Sequence, residues 1–424
     1  MAARPLRFCM LTTFYPPAGF GGDAVQVQRL AEALAGRGHD VVVAHSQEAY
    51  RTLARGRPEC RKCADADVEV IPIDARAGVL SPLATYLTGR PLMVRSRLRR
   101  VLERGFDVLH FHNPSLLGGP ALLGMGAGIK LYTAHEQWLL CPTHVLWKYQ
   151  RRVCERPQCW RCALTYGRPP QPWRSGGLLE RSLANLDALI VPSRTSARLH
   201  ERFAPLVPVV RLGHFVPDPD GRGGDTAPAR SYFLYVGRLE SIKGVDTLLR
   251  AFRRRRSEEL LVAGTGSLER NLRREAADLP HVRFLGWVTP DRLHDLLRNA
   301  LAVIVPTLGH ESFGLVPVEA FAYGTPAVVR DFGALGELIE ESGGGIAYHT
   351  ADELDAALAL IAGNGGARAE RGRRGRAAYL EHWTPEAHLR RYFALIADAA
   401  RRRGAEELAE AAEAAAPQPE ATRA

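Results

Sequence analysis

Short runs of β-branched and apolar residues, each followed by a stretch of helical periodicity, recur along this chain and restrict the folds open to it. LRFCMLTTF (6–14) reads as a strand and AVQVQRLAEALAGRGH (24–39) as an amphipathic helix. DVVVAHS (40–46), VEVIPI (68–73), DVLHFHN (107–113), IKLYTAH (129–135) and ALIVPS (188–193) continue the series. Near-continuous apolar strands separated by helices predict a parallel sheet covered on both faces. Residues 216–231, VPDPDGRGGDTAPARS, lack periodicity and are rich in Pro, Gly and Asp, as in a linker. The alternation then restarts with YFLYVGR (232–238), ELLVAGTG (259–266), VRFLGWV (282–288), LAVIVPT (301–307) and TPAVVRD (325–331). The expected class is α/β: two Rossmann-like, doubly wound parallel-sheet domains facing a cleft, with ligands beyond the carboxyl ends of the strands. The expected boundaries are 1–215, 216–380, a closing helix at 381–401 and a low-complexity tail at 402–424, partly frayed helix and then disordered.

Length and composition agree with this reading. A chain of 424 residues exceeds one ordinary core, and 46% hydrophobic with 24% charged residues suits a globular enzyme. No apolar run reaches the roughly 18 residues that cross a bilayer. The N-terminus runs from a short apolar stretch into Pro16-Pro17 and reads as a first strand, not a signal peptide, so a cytoplasmic location is expected. The net charge of +10 is carried mostly by Arg. PLMVRSRLRRVLERG (91–105) reads as one amphipathic helix bearing Arg95, Arg97, Arg99, Arg100 and Arg104. A solvated face is the first reading of it; peripheral contact with the anionic inner membrane face, or with a polyanionic acceptor, is the alternative. No aromatic–basic interleaving suggests a nucleic-acid partner.

Several strand ends carry residues suited to a phosphorylated ligand. Gly21 and Gly22 precede a helix and allow close approach to an anion, although a Gly-Gly turn alone is weak. VGRLESIKGVDTLLRAF (236–252) places Arg238 and Lys243 between a strand and a helix, two cations that suit a diphosphate without a metal. LVAGTGSLERNL (261–272) has Gly264 and Gly266 but lacks the third glycine of a dinucleotide fingerprint. HESFGLVPVEAFAYGTP (310–326) holds Glu311 and Glu319 around Gly314, where a helix should begin. Singly, Glu319 is as easily a cap or a dipole partner as a ligand.

In this order and spacing, GRLxxxKG, AGxG, GWV and ExFGxxxxE closely resemble the retaining glycosyltransferases of the GT-B fold, in particular glycosyltransferase family 4. The resemblance spans nearly the whole chain and is strongest between Tyr235 and Asp331. It implies that Arg238 and Lys243 neutralise the diphosphate of a nucleotide-sugar donor, helped by backbone amides at the Gly314–Leu315–Val316 helix start, with Ser312 and Phe313 also among the donor-binding residues. Glu319 would hold the ribose and Glu311 the donor sugar. Gly264 and Gly266 would leave room for the nucleotide, Gly286 to Val288 would flank the base, and Gly22 would sit by the diphosphate. His135 would touch the donor sugar. Arg194 and His112 are further cleft-edge candidates, with packing favoured over catalysis for His110 and His112. The implied reaction is transfer with retention from a UDP- or GDP-sugar to a glycan, lipid-linked or small-molecule acceptor, as in polysaccharide or glycoconjugate synthesis. The D-x-D triplets at 65–67 and 218–220 lie outside these motifs, and the resemblance implies no catalytic metal. A phosphorylase or disaccharide synthase of the same architecture, or a non-catalytic nucleotide-sugar-binding partner, are the rivals.

The cysteines form a separate pattern. Cys141, Cys154, Cys159 and Cys162 fall in a Pro- and Arg-rich insertion, residues 136–175. In a chain expected to stay in a reducing compartment, C-x12-C-x4-C-x2-C reads as a structural metal site, zinc before an iron–sulfur cluster. Cys60 and Cys63 form a second C-x2-C that could supply ligands instead, and free thiols are the remaining reading. Cys9 reads as a small core hydrophobe.

Overall fold

The computed structural model describes residues 4–54, 67–219 and 232–418. The chain divides into two compact units: one holds residues up to 144, 158–213 and 386 onward, and the other holds 145–157 and 214–385. From residue 386 onward, the C-terminal residues expected as a closing helix and tail therefore belong to the first unit. Two helices, Pro385–Arg402 and Glu406–Ala415, account for most of them. Cys60 and Cys63 and most of the expected linker lie outside the described residues.

In chain order the first unit contains β1 (Arg7–Leu11), β2 (Asp40–His45), β3 (Val68–Pro72), β4 (Val108–Phe111) and β5 (Ile129–Thr133). A two-stranded hairpin of the second unit intervenes, β6 (Trp147–Lys148) and β7 (Arg152–Val153), and β8 (Ala188–Val191) and β9 (Val209–Arg211) complete the first unit. Seven of these strands form one parallel sheet in the order β3-β2-β1-β4-β5-β8-β9. The second unit has β10 (Tyr232–Val236), β11 (Glu259–Ala263), β12 (Val282–Gly286), β13 (Ala300–Val305), β14 (Ala327–Arg330) and β15 (Gly345–Tyr348), in the order β12-β11-β10-β13-β14-β15. Both sheets are doubly wound. Strand order reverses between β1 and β4 in one sheet and between β10 and β13 in the other, and loops diverge at such a point to leave a crevice.

The buried strands explain the near-continuous apolar runs. Leu109 and Phe111 lie in one core, and Phe233, Leu260 and Ile304 in another. Four strands escaped the sequence reading: β6 and β7 have two residues each, β9 has only three beside a proline, and β15 begins on the last of three glycines. The helix expected over 91–105 is shorter, Arg95–Leu102, with Leu98, Val101 and Leu102 buried.

The cysteine-rich insertion is split between the units. It forms the β6–β7 hairpin, where the Cys154 amide donates to the Leu146 carbonyl at 2.8 Å, and a helix Cys159–Thr165. Cys154 belongs to the second unit, whereas Cys141, Cys159 and Cys162 belong to the first. Among the described residues no three Cys, His, Asp or Glu side chains assemble a metal site. The four-thiolate centre expected from the spacing is thus not assembled in this structure. The Cys141 thiol instead lies 3.2 Å from the Thr143 hydroxyl.

The loops after β10, β11 and β12 are knitted together by close backbone approach. The Gly264 amide donates to the Gly286 carbonyl at 2.7 Å, and the Leu239 amide to the Thr265 carbonyl at 3.0 Å. A Cβ at Gly264, where φ is +133°, would lie 1.9 Å from the Gly237 oxygen, and one at Gly266 would lie 2.4 Å from the Leu239 oxygen. The space left by these missing side chains is filled by the chain itself. Gly264→Ala should therefore destabilise the second unit by at least about 3 kcal/mol, from overpacking and strain together. Gly286→Ala, where nothing lies within 4 Å of an added Cβ, should cost only about 1 kcal/mol for its positive φ. Thermal melting of both variants checks the difference.

Candidate active site

In the second unit, the reversal between β10 and β13 brings together residues 68 positions apart. After β10 the chain passes Gly237 and the exposed Arg238, then a single 3₁₀ turn, Ser241–Lys243. Gly244 follows at φ +66°, where a Cβ would meet the Pro306 oxygen at 2.3 Å, and the helix Val245–Arg254 begins. The loop after β13 runs through Thr307 to Glu311. Lys243 Nζ donates to Glu311 Oε1, and the Thr307 hydroxyl donates to the same oxygen at 3.0 Å. Both charged side chains keep about a fifth of their surface exposed, 22% for Lys243 and 23% for Glu311.

Burial pushes the Glu311 carboxyl up, but the charge and hydrogen bond of Lys243, the Thr307 hydroxyl and the charge of Arg238 outweigh it and hold it below its ordinary value. The group is a carboxylate at neutral pH. Its Oε1 is saturated by Lys243 and Thr307, and Oε2 has no partner among the described residues. A held carboxylate with one oxygen left over is suited to accept a hydrogen bond from a ligand hydroxyl. The Tyr235 hydroxyl, buried below the loop, donates to the Arg238 carbonyl at 2.8 Å and fixes the turn that carries the guanidinium.

The remaining predicted residues of this unit flank that centre in sequence. Gly314, at φ +112°, precedes the helix Leu315–Phe321, which carries the half-buried Glu319. The Phe313 ring is turned into the core, edge-on to His214 at 5.3 Å and to Trp383 at 6.3 Å, so its side chain supports the loop. Trp287, in the turn after β12 beside the half-buried Val288, is 66% exposed. Thr307 and Tyr235 were missed by sequence reasoning. The available signal for Thr307 was a hydroxyl residue directly after an apolar strand that ends in Pro.

In the first unit, polar side chains gather where β1, β4 and β5 end. Gly21, at φ +79°, opens the helix Gly21–Ala35, with Gly22 and Asp23 in its first turn. Asn113, after β4, donates through Nδ2 to Glu136 Oε1 at 2.9 Å and reaches Asp23 Oδ2 at 3.4 Å. His144 Nδ1 lies 2.5 Å from the same Glu136 oxygen. Behind them runs a buried histidine series. His135 Nε2 is 2.9 Å from His112 Nδ1, so one of these two nitrogens carries the shared proton. The His112 and His110 rings lie 4.0 Å apart. His110 bonds the Thr133 hydroxyl at 2.8 Å through Nε2 and the Tyr392 hydroxyl at 2.9 Å through Nδ1. Burial first, then the neighbouring His135 and His388, hold His110 well below its ordinary pKa, so it is neutral. The packing role expected for His110 and His112 is visible, and it orients His135.

Asp23 is the perturbed acid of this cluster: burial, then the adjacent Glu136, push it up to about 6, against the weaker pull of amide donors and Asn113. The folded state therefore holds this proton more tightly than the unfolded chain, whose carboxyl titrates near 3.8. The stability linked to protonated Asp23 is complete below pH 4 and is lost as pH rises through 6. Asp23→Asn should melt higher than the parent protein at pH 7.5, with the difference closing toward pH 4, as differential scanning calorimetry across that range would show.

Comparison with known proteins agrees with both units. Residues 20–213 match the family model described as Glycosyltransferase Family 4, and residues 230–363 that described as Glycosyl transferases group 1. The D-inositol 3-phosphate glycosyltransferase of Acidothermus cellulolyticus is 30% identical over 368 residues, 77% of this chain and 74% of that protein. Among solved structures, sucrose-phosphate synthase from Thermosynechococcus elongatus superposes with a TM-score of 0.67 at 20% identity, covering 94% of this chain and 98% of that one. HepE of Anabaena, solved with UDP and glucose, superposes with a TM-score of 0.61 at 17% identity, covering 94% and 99%. The doubly wound sheets, the charged centre at the β10/β13 reversal and these likenesses place the chain among the GT-B glycosyltransferases, as a member of family 4.

Proposed function

We propose that this enzyme transfers a sugar from a nucleoside-diphosphate sugar to a hydroxyl of a glycan or glycoconjugate acceptor, with retention at the anomeric carbon. The observation that carries this reading is Glu311, ionised, gripped through one oxygen by Lys243 and Thr307, with its second oxygen left for a sugar hydroxyl. Arg238 and Lys243 supply the positive charge for the diphosphate, beside the amides that open the helix at Leu315. Glu319, on the first turns of that helix, is assigned to the ribose. UDP is the favoured nucleotide because the similarly folded HepE was solved with it. In the first unit, His135 and the Asp23–Asn113–Glu136–His144 cluster offer hydrogen bonds to hydroxyl-bearing groups, with His135 assigned to the donor sugar and the cluster to the acceptor.

Chemically, the acceptor oxygen bonds to the anomeric carbon as the bond from that carbon to the diphosphate oxygen breaks on the same face. The acceptor proton passes to the departing phosphate oxygen. A covalent path through Glu311 is disfavoured, since a carboxylate neutralised by an adjacent ammonium is a poor nucleophile. The residues instead position the reactants and stabilise the leaving charge, which can lower the barrier by several kcal/mol.

NMR observation of UDP- and GDP-sugar turnover tests the reading. Donor with an α linkage should release free sugar first seen as the α anomer. Glu311→Gln should lower kcat by about 10²–10³-fold, with UDP affinity little changed. Lys243→Met should weaken UDP binding by about tenfold or more. Unchanged turnover in Glu311→Gln, first release of the β anomer, or activity requiring inorganic phosphate and no nucleotide would each contradict it.

A further inference from the structure

The first unit carries a surface that its transferase chemistry leaves unexplained. Among the described residues, fourteen large hydrophobic side chains are exposed, and six of them, Val79, Leu80, Leu83, Leu87, Leu92 and Met93, fall within fifteen consecutive positions. Leu80, Leu83 and Leu87 belong to the helix Leu80–Thr88, at spacings that put them on one face. The opposite face holds that helix to the fold through the buried Ser81, Pro82, Thr85 and Tyr86, and the Tyr86 hydroxyl donates to the Pro169 carbonyl at 3.0 Å. The leucine row therefore contributes nothing to the core. Leu80 and Leu92 keep 60% and 56% of their surface, more than scattered surface apolar residues need explain.

Within this segment the charge is of one sign, although Asp74 and Glu103 bound it and the Glu48 carboxylate accepts from the Ala75, Ala77 and Gly78 amides at its start. Residues 75–102 contain Arg76, Arg90, Arg95, Arg97, Arg99 and Arg100, and no Asp, Glu or Lys. Elsewhere arginines commonly face carboxylates: Arg4 meets Asp107 at 3.0 Å, Arg104 meets Glu69 at 2.7 Å and Arg254 meets Asp355 at 2.6 Å. None of the six pairs with a carboxylate among the described residues. The helix Arg95–Leu102 turns Leu98, Val101 and Leu102 inward and leaves Arg95, Arg99 and Arg100 in solvent, directly after Leu92 and Met93. A solvated helix face would be expected to mix signs, and a purely electrostatic site for a soluble polyanion needs no leucine row. Apolar side chains bordered by unpaired arginines match an anionic lipid surface, where the leucines enter the acyl boundary and the guanidiniums meet phosphates. No helix among the described residues is long and apolar enough to cross a membrane, so the contact is peripheral.

We infer that residues 79–100 form a docking face for an anionic bilayer. This rests on the transferase reading in one respect: it specifies that the acceptor is met at a lipid surface.

Sedimentation of the full chain with vesicles tests it. Phosphatidylcholine mixed with phosphatidylglycerol in equal parts should carry the protein down, phosphatidylcholine alone should not, and high salt should release it. Leu80→Ser/Leu83→Ser/Leu87→Ser should abolish binding, and Arg95→Gln/Arg99→Gln/Arg100→Gln should weaken it by roughly 100-fold, given about 1 kcal/mol for each charge at such a surface. Both variants should keep the parent melting temperature and the parent rate of UDP-sugar hydrolysis, which separates loss of docking from loss of the active site. A parent protein that ignores both vesicle types while hydrolysing donor would overturn the inference and leave the transferase reading intact. So would a leucine variant that binds vesicles, or soluble heparin, as the parent does. A parent dimer in light scattering that the leucine variant converts to monomer would overturn it in favour of a second copy of the chain.

Discussion

The ion pair between Lys243 and Glu311 is the interaction on which the chemistry proposed for the second unit depends. Each partner is mostly removed from water, and neither is placed there by its own strand alone. Lys243 reaches the pair because Gly244, in a left-handed conformation, lets the chain turn under the Pro306 carbonyl. Glu311 reaches it because the loop after β13 passes Thr307, whose hydroxyl closes on the same oxygen. Removing one partner would leave a partly buried charge uncompensated, an effect of several kcal/mol in buried pairs. The pair thus orders two loops from adjacent strands and presents one carboxylate oxygen and a cationic edge to a ligand.

A comparable arrangement organises the first unit, with different chemistry. Its reversal between β1 and β4 gathers acids, an amide and histidines. One end of this cluster is buried and neutral, where Tyr392 and Thr133 hold His110 between them. The other end is half-exposed and acidic, where Asp23 and Glu136 share the Asn113 amide. Rigid support on one side and unsaturated polar groups on the other suit the binding of hydroxyls. The cationic centre at β10 and β13 suits phosphate.

Much of this was legible in the sequence, for identifiable reasons. Strands such as DVVVAH are buried on both sides and so spell themselves in continuous apolar letters. Arg238, Lys243 and Glu311 could be singled out because they follow such strands directly. Their direct bonding could not, because it joins loops that only the strand order brings side by side. Asp23, Asn113 and Glu136 each stood beside a quoted motif and passed unremarked for the same reason. Gly264 was assigned to ligand space, whereas the structure shows the neighbouring loop already using it. The placement of the cysteines was not legible, since linear spacing gave no hint that the β6–β7 hairpin carries Cys154 into the other unit.

The central claim is that the loops joined by Lys243 and Glu311 are the seat of a nucleoside diphosphate. Amide hydrogen exchange of the full chain, with and without saturating UDP and separately GDP, reads this directly. One of the two nucleotides should slow exchange in the segments 237–244 and 307–319 while leaving the helix Gly365–His382 unchanged. Saturable binding with no protection in either segment, or protection confined to other parts of the chain, would contradict the account.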